Sequence, residues 1–130
     1  MSPELILFSV LLFKHLIVDW FLQTSWQYRN KGNWRHPGGY FHAFLNVFGS
    51  IVMIFFASVF INMNITVLSP LAFVLFFGEF TSHYIMDWTK VNICRHKAWG
   101  TETSENFWRL TGFDQFVHLS YLVFMSAVFA

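Results

Sequence analysis

Charge is what this chain has least of. Only 12% of its 130 residues are Asp, Glu, Lys or Arg, about half the share in an ordinary soluble domain. Eight basic residues against seven acidic leave a formal charge of +1. So thin and balanced a charge excludes a phosphate-tracking nucleic-acid binder, which needs a dense basic face. Cysteine is almost missing as well. The single Cys94 excludes an internal disulfide and any thiolate-rich zinc motif, and reads as an isolated thiol near the end of a helix. A basic leader is also lacking: Glu4 stands near the start, and the first apolar stretch contains Lys14, His15 and Asp19 with no small-residue cleavage site after it. That stretch is therefore expected to be a mature helix rather than a removed signal peptide.

What fills the sequence instead is apolar. Hydrophobic residues make up 55% of it and aromatics 22%, with 18 Phe, the composition of a chain whose solvent is a lipid bilayer. Four apolar stretches, about 5–22, 41–62, 65–88 and 113–130, are each about long enough to cross a bilayer at roughly 1.5 Å per residue. Pro3 and Pro70 fall where a helix start tolerates proline. The stretch from Thr24 to Gly39, with Pro37-Gly38-Gly39, reads as a loop. In the connection from Val91 to Thr111, Thr103-Ser104-Glu105-Asn106 ahead of Phe107, Trp108 and Leu110 predicts a short interfacial helix between the third and fourth spans. The expected fold is all-α, a single membrane-embedded domain built as a four-transmembrane-helix bundle.

The few charges orient that bundle. Arg29, Lys31, Arg35, Lys90, Arg95, Lys97 and Arg109 lie in or beside the two longer connections, as do all six Trp residues. The positive-inside rule and the interfacial aromatic belt both put those connections in the cytoplasm, so both termini are expected outside it, in a bacterial inner membrane.

One phrase is written twice, His15-Leu16-Ile17-Val18-Asp19-Trp20 and His83-Tyr84-Ile85-Met86-Asp87-Trp88. It suggests two parallel helix-hairpin repeats related by an axis along the membrane normal. Four residues apart, each His and Asp share a helix face. Asp114 and His118 repeat the pair in reverse, and His42 with Asn46 opens the second span. All lie within roughly 10 Å of the cytoplasmic boundary by helical rise. Facing helices that bring His and carboxylates to one level are a usual construction of a metal site. The candidate ligands are His15, Asp19, His42, His83, Asp87, Asp114 and His118. Imidazoles and carboxylates without thiolate suit Zn, Fe(II) or Mn and disfavour Ca. Seven ligands exceed what one catalytic ion uses, which makes room for two ions and a bridging carboxylate.

Gln23, Asn46 and Lys90 are expected to support the ligands, and Glu79, one turn deeper than His83, is expected either to hydrogen-bond His83 or to serve as the general base. Lys90, Arg35 and Arg29 are candidates for an anionic headgroup, beside an ordinary positive-inside placement. The expected activity is hydrolysis of a lipid-linked or headgroup-level substrate by metal-bound water. Its rivals are a non-enzymatic metal transporter or sensor, and a structural membrane protein whose polar cluster fixes helix packing.

The order of these motifs resembles a known family. His15 and Asp19 followed by Gln23-Thr24, then His42, then His83 and Asp87 followed by Lys90, then Asp114-Gln115 and His118, together resemble the family called domain of unknown function 3307. The resemblance covers nearly the whole chain. It implies a small bacterial or phage polytopic membrane protein, without a biochemical role. In style the pattern is also similar to membrane-bound metal-dependent hydrolases.

Overall fold

Ser2 and Pro3 start the first helix: the Ser2 hydroxyl accepts the Leu5 N–H at 3.4 Å, and Pro3 sits in the first turn, where its missing N–H costs nothing. In the computed structural model, which describes residues 1–60, 69–101 and 103–130, this helix, α1, runs Pro3–Leu16. It then widens into a π-helical turn, Ile17–Phe21, which the Leu22 N–H closes onto the Ile17 carbonyl at 2.9 Å. A helical turn with one residue too many re-aims the side chains that follow, and such turns are common at functional sites.

The expected loop between residues 24 and 39 holds a further helix, α2 (Ser25–Asn30). Its signal is the pair Thr24 and Gln27, which form a complete capping box; Gln27 supplies the reciprocal side chain usually given by Glu. Next come α3 (Pro37–Phe60), α4 (Pro70–Lys97) and α5 (Glu105–Phe129). Helix α3 starts at Pro37, inside the expected loop and before the expected span at 41, and two further boundaries differ from expectation. Helix α4 does not stop at Trp88 but continues to Lys97, ending where Ala98 turns into the left-handed region at φ 53°. The expected interfacial helix around Thr103 to Leu110 is not separate: Glu105 begins α5, which runs unbroken to Phe129 because nothing after Leu110 breaks it. The expected connection at residues 62–66 and the start of the third stretch at 65 lie outside the described residues.

Among the described residues two helices, α3 and α5, are long and apolar enough to cross a membrane, where four were expected. The shortfall has a physical cause. The regular part of α1 is only 14 residues, ended by the π turn. In α4 the buried Glu79, His83 and Asp87 dilute an otherwise apolar run. The residues that weaken the apolar signal are the ones singled out for chemistry.

The four long helices close a ring: α1 packs on α3, α3 on α4, α4 on α5 and α5 on α1, while α2 leans on α3. The interior of the ring is divided along its length. Leu7, Leu11, Ile54, Ala57, Ala72, Phe76, Leu122 and Met125 fill the half near the termini. Lys14, His15, His42, Asn46, Ser50, Glu79, His83, Asp87, Asp114 and His118 are buried in the other half. Large side chains such as Phe44, Phe48, Phe55, Phe73, Phe77, Phe116 and Phe124 point outward and are about half exposed or more. Apolar groups outside and ionisable groups inside invert the arrangement of a water-soluble domain.

Candidate metal centre

Each wall of the polar half contributes one or two turns. Helix α1 ends on Lys14 and His15, and the π turn presents Asp19. Helix α3 offers His42, Asn46 and Ser50, spaced by four residues so that they stack on one face. Helix α4 offers Glu79, His83 and Asp87 on the same spacing, and α5 offers Asp114 and His118. All of these side chains are almost wholly withdrawn from solvent.

The centre of the cluster is formed by four heteroatoms from three walls. His42 Nε2 lies 3.0 Å from Asp19 Oδ1 and 3.3 Å from Asp87 Oδ2. His83 Nε2 lies 3.2 Å from Asp19 Oδ1 and 3.5 Å from Asp87 Oδ2, and the two imidazole nitrogens are 3.1 Å apart. Donors held about 2.0 Å from one tetrahedral ion stand about 3.3 Å from each other. The two imidazole nitrogens have about that spacing from each other and from both carboxylate oxygens. Beside it, His118 stacks on His83 with ring centroids 4.1 Å apart and reaches Asp114 Oδ1 at 3.3 Å. Asp87, Asp114 and His118 can offer one ligand atom each within 4.8 Å of one another, as can His42, His83 and Asp87, and Asp19, His83 and His118. Asp87 belongs to two of these groups.

Three buried atoms at the junction, Asp87 Oδ2, Asp114 Oδ1 and His118 Nε2, make no hydrogen bond of good geometry, although His42 Nε2 stands 3.3 Å from the first and the other two stand 3.3 Å from each other. Buried polar atoms are ordinarily satisfied, so three without a well-directed bond in one place leave bonding capacity to spare. The donor set fits a divalent transition ion: neutral imidazoles and carboxylates without thiolate.

Around these side chains stand further polar groups. The Asn46 amide donates to Asp19 Oδ1 at 3.0 Å and lies 3.2 Å from His83 Nε2. Gln23 approaches the His42 ring at 3.0 Å. Lys90 donates to Asp114 Oδ2 at 3.0 Å. Of the seven expected ligands, six fall in the three groups. His15 stands outside them, 3.6 Å from Asp19 Oδ2, with its Nε2 at 3.0 Å from Gln115 Oε1. Glu79 does not meet His83. It accepts from Lys14 at 2.7 Å and from Ser50 at 2.8 Å, and its free Oε2 borders a cavity of about 10 Å³, the room of one water, shared with His15, His83 and His118.

Some of these partners escaped sequence reasoning. Lys14 carries a signal that was available, because a lysine inside an apolar stretch needs a buried carboxylate. Lys31 carries none: it donates to Asp87 Oδ1 at 2.9 Å across 56 residues of chain. Burial alone would depress the Lys31 ammonium, but the Asp87 carboxylate outweighs it and raises its pKa above the ordinary value. The pair therefore stabilises the fold throughout the neutral range and is lost only as pH rises past the lysine range.

The fold and the site together define a class, an all-α protein with a ring of four long helices around a buried His and carboxylate cluster. Within that class the chain belongs to the family described as "Protein of unknown function (DUF3307)", whose sequence profile matches residues 7–130. Neither the curated proteins nor the solved structures contain a match to it.

Proposed function

We propose that the chain is a four-span inner-membrane protein whose His/Asp cluster binds one or two divalent transition ions, Zn, Fe or Mn, and hydrolyses a lipid-linked or headgroup-level substrate. The observation that carries this reading is that His42 Nε2 and His83 Nε2, 3.1 Å apart, each stand 3.0–3.5 Å from both Asp19 Oδ1 and Asp87 Oδ2. Asp114 and His118 provide for a second ion, with Asp87 shared. An ion held there would lower the pKa of a bound water and polarise a phosphoryl or acyl oxygen. The outward phenylalanines along α3, α4 and α5 support the bilayer as surroundings, and the basic connections support a cytoplasmic site with both termini outside. In that setting α1 and α4 also span, with their ionisable residues turned into the bundle, where a membrane tolerates them.

A second reading rests on a specific observation. Lys14, Lys31 and Lys90 already neutralise Glu79, Asp87 and Asp114, so the cluster could fix helix packing with no ion. Metal transport or sensing is the third. Reconstitution separates them. Protein stripped with a chelator and placed in liposomes should release headgroup only after Zn, Mn or Fe(II) is restored. Metal flux across the vesicle wall without hydrolysis would favour a transporter, and an unaltered chelator-treated protein with neither activity would favour the packing role.

A further inference from the structure

Beyond the buried cluster, a cavity of about 600 Å³ opens between α2, the end of α4 and the start of α5. That volume is in the range of small-ligand sites. Arg29, Lys31, Lys90 and Arg95 line it, and no acidic residue does among the described residues. Its floor and the cluster share atoms of the same ion pairs: Lys31 bonds Asp87 at 2.9 Å and Lys90 bonds Asp114 at 3.0 Å. Among the described residues, no carboxylate pairs with the arginines at its rim. The Arg95 guanidinium is held by neutral acceptors, Asn33 Oδ1 at 3.0 Å and the Arg29 carbonyl at 3.3 Å. Trp99 and Phe107 supply flat apolar wall. Arg35, an expected headgroup contact, lies elsewhere; its backbone N–H donates to the Tyr84 hydroxyl and it borders a different hollow.

Four cations around one cavity, two of them tied to the ligand carboxylates, call for an anion that ends at the metal centre. Guanidinium groups match phosphate oxygens in a paired, planar fashion, and lysines add point charge. We propose that this cavity binds the phosphate group of a phosphate ester, the substrate class of the hydrolytic site, with Arg29 and Arg95 gripping it at the mouth and Lys31 and Lys90 placing it beside Asp87 and Asp114. This rests on the hydrolytic reading above. In the reaction, the oxygen of water bonds to phosphorus as the bond from phosphorus to the ester oxygen breaks. One proton of that water passes to the leaving alcohol, and the other stays with the phosphate.

The test reads phosphate binding and metal content separately, on the full chain in phosphatidylcholine nanodiscs. Two probes are used, soluble glycerol 3-phosphate and short-chain phosphatidic acid, with glycerol and diacylglycerol as uncharged controls, all by calorimetry. The inference expects a phosphorylated probe to bind, the uncharged ones not to, and salt to weaken binding. Arg29→Gln and Arg95→Gln should each weaken it about tenfold or more with metal content unchanged, while Arg95→Lys loses less and Lys97→Gln, outside the cavity, nothing. Binding of phosphatidic acid alone assigns a lipid headgroup; binding of both assigns phosphate esters generally. Equal loss in Lys97→Gln, or unchanged binding in the Arg29→Gln and Arg95→Gln double variant, overturns the inference as mere surface charge. A protein that binds metal but neither phosphate probe sinks this inference and leaves the metal site standing; one that binds phosphate without metal does the reverse.

Discussion

At the scale of the residue, the cluster is a set of obligations between charges that water no longer screens. Lys14 and Glu79 meet at 2.7 Å with side chains 2% and 5% exposed. Removing one partner strands the other, which costs about 3–5 kcal/mol, whereas replacing both by apolar or neutral groups is often close to neutral. Lys14→Met should therefore lower the melting temperature in detergent sharply, and Lys14→Met with Glu79→Gln should recover most of the loss. A double variant no better than the single one would mean that Lys14 acts through its packing and not its charge. Which side chains the fold gathers was largely legible in the sequence. His42, His83, Asp19, Asp87, Asp114 and His118 stand out because ionisable side chains in apolar stretches are costly. Of their lysine partners Lys90 was legible as a support, but Lys31 was not, since its pairing with Asp87 exists only after helices have packed.

At the scale of the element, period and capping located most helices, and two kinds of feature stayed hidden. The π turn at Ile17–Phe21 leaves no mark in an apolar run, yet it decides where Asp19 points. The capping box of α2 was written in Thr24 and Gln27 but was outweighed by the surrounding polar residues. Close approaches between helices are set by glycine. An added methyl at Gly78 would run into the Tyr121 hydroxyl, which donates to the Leu75 carbonyl at 2.8 Å and ties α5 to α4. At Gly112, on exposed helix, it would meet nothing within 4 Å. Gly78→Ala should destabilise by about 1–3 kcal/mol through overpacking, while Gly112→Ala should be neutral or stabilise by up to about 1 kcal/mol through helix propensity. Thermal unfolding followed by circular dichroism checks both; a harmless Gly78→Ala would show that α4 and α5 pack less closely than described.

At the scale of the whole molecule, the ring of four helices has an apolar half and an ionisable half, with phenylalanine outside. The composition announced the inversion, and the asymmetry of Lys and Arg supports the orientation proposed for it. A fluorescent reporter that folds only in the cytoplasm should be dark when fused after Ala130, and a reporter active only outside should work there; the opposite pair of results would invert the topology and move the site to the other side. The account as a whole turns on whether the cluster holds an ion. Elemental analysis of protein purified in detergent, without added chelator, should find about one to two equivalents of Zn, Fe or Mn per chain. Asp87→Asn and His83→Ala should fall below about a tenth of an equivalent while keeping their helical content. Wild-type protein with less than about a tenth of an equivalent of any transition metal, or Asp87→Asn with a full complement, would contradict it.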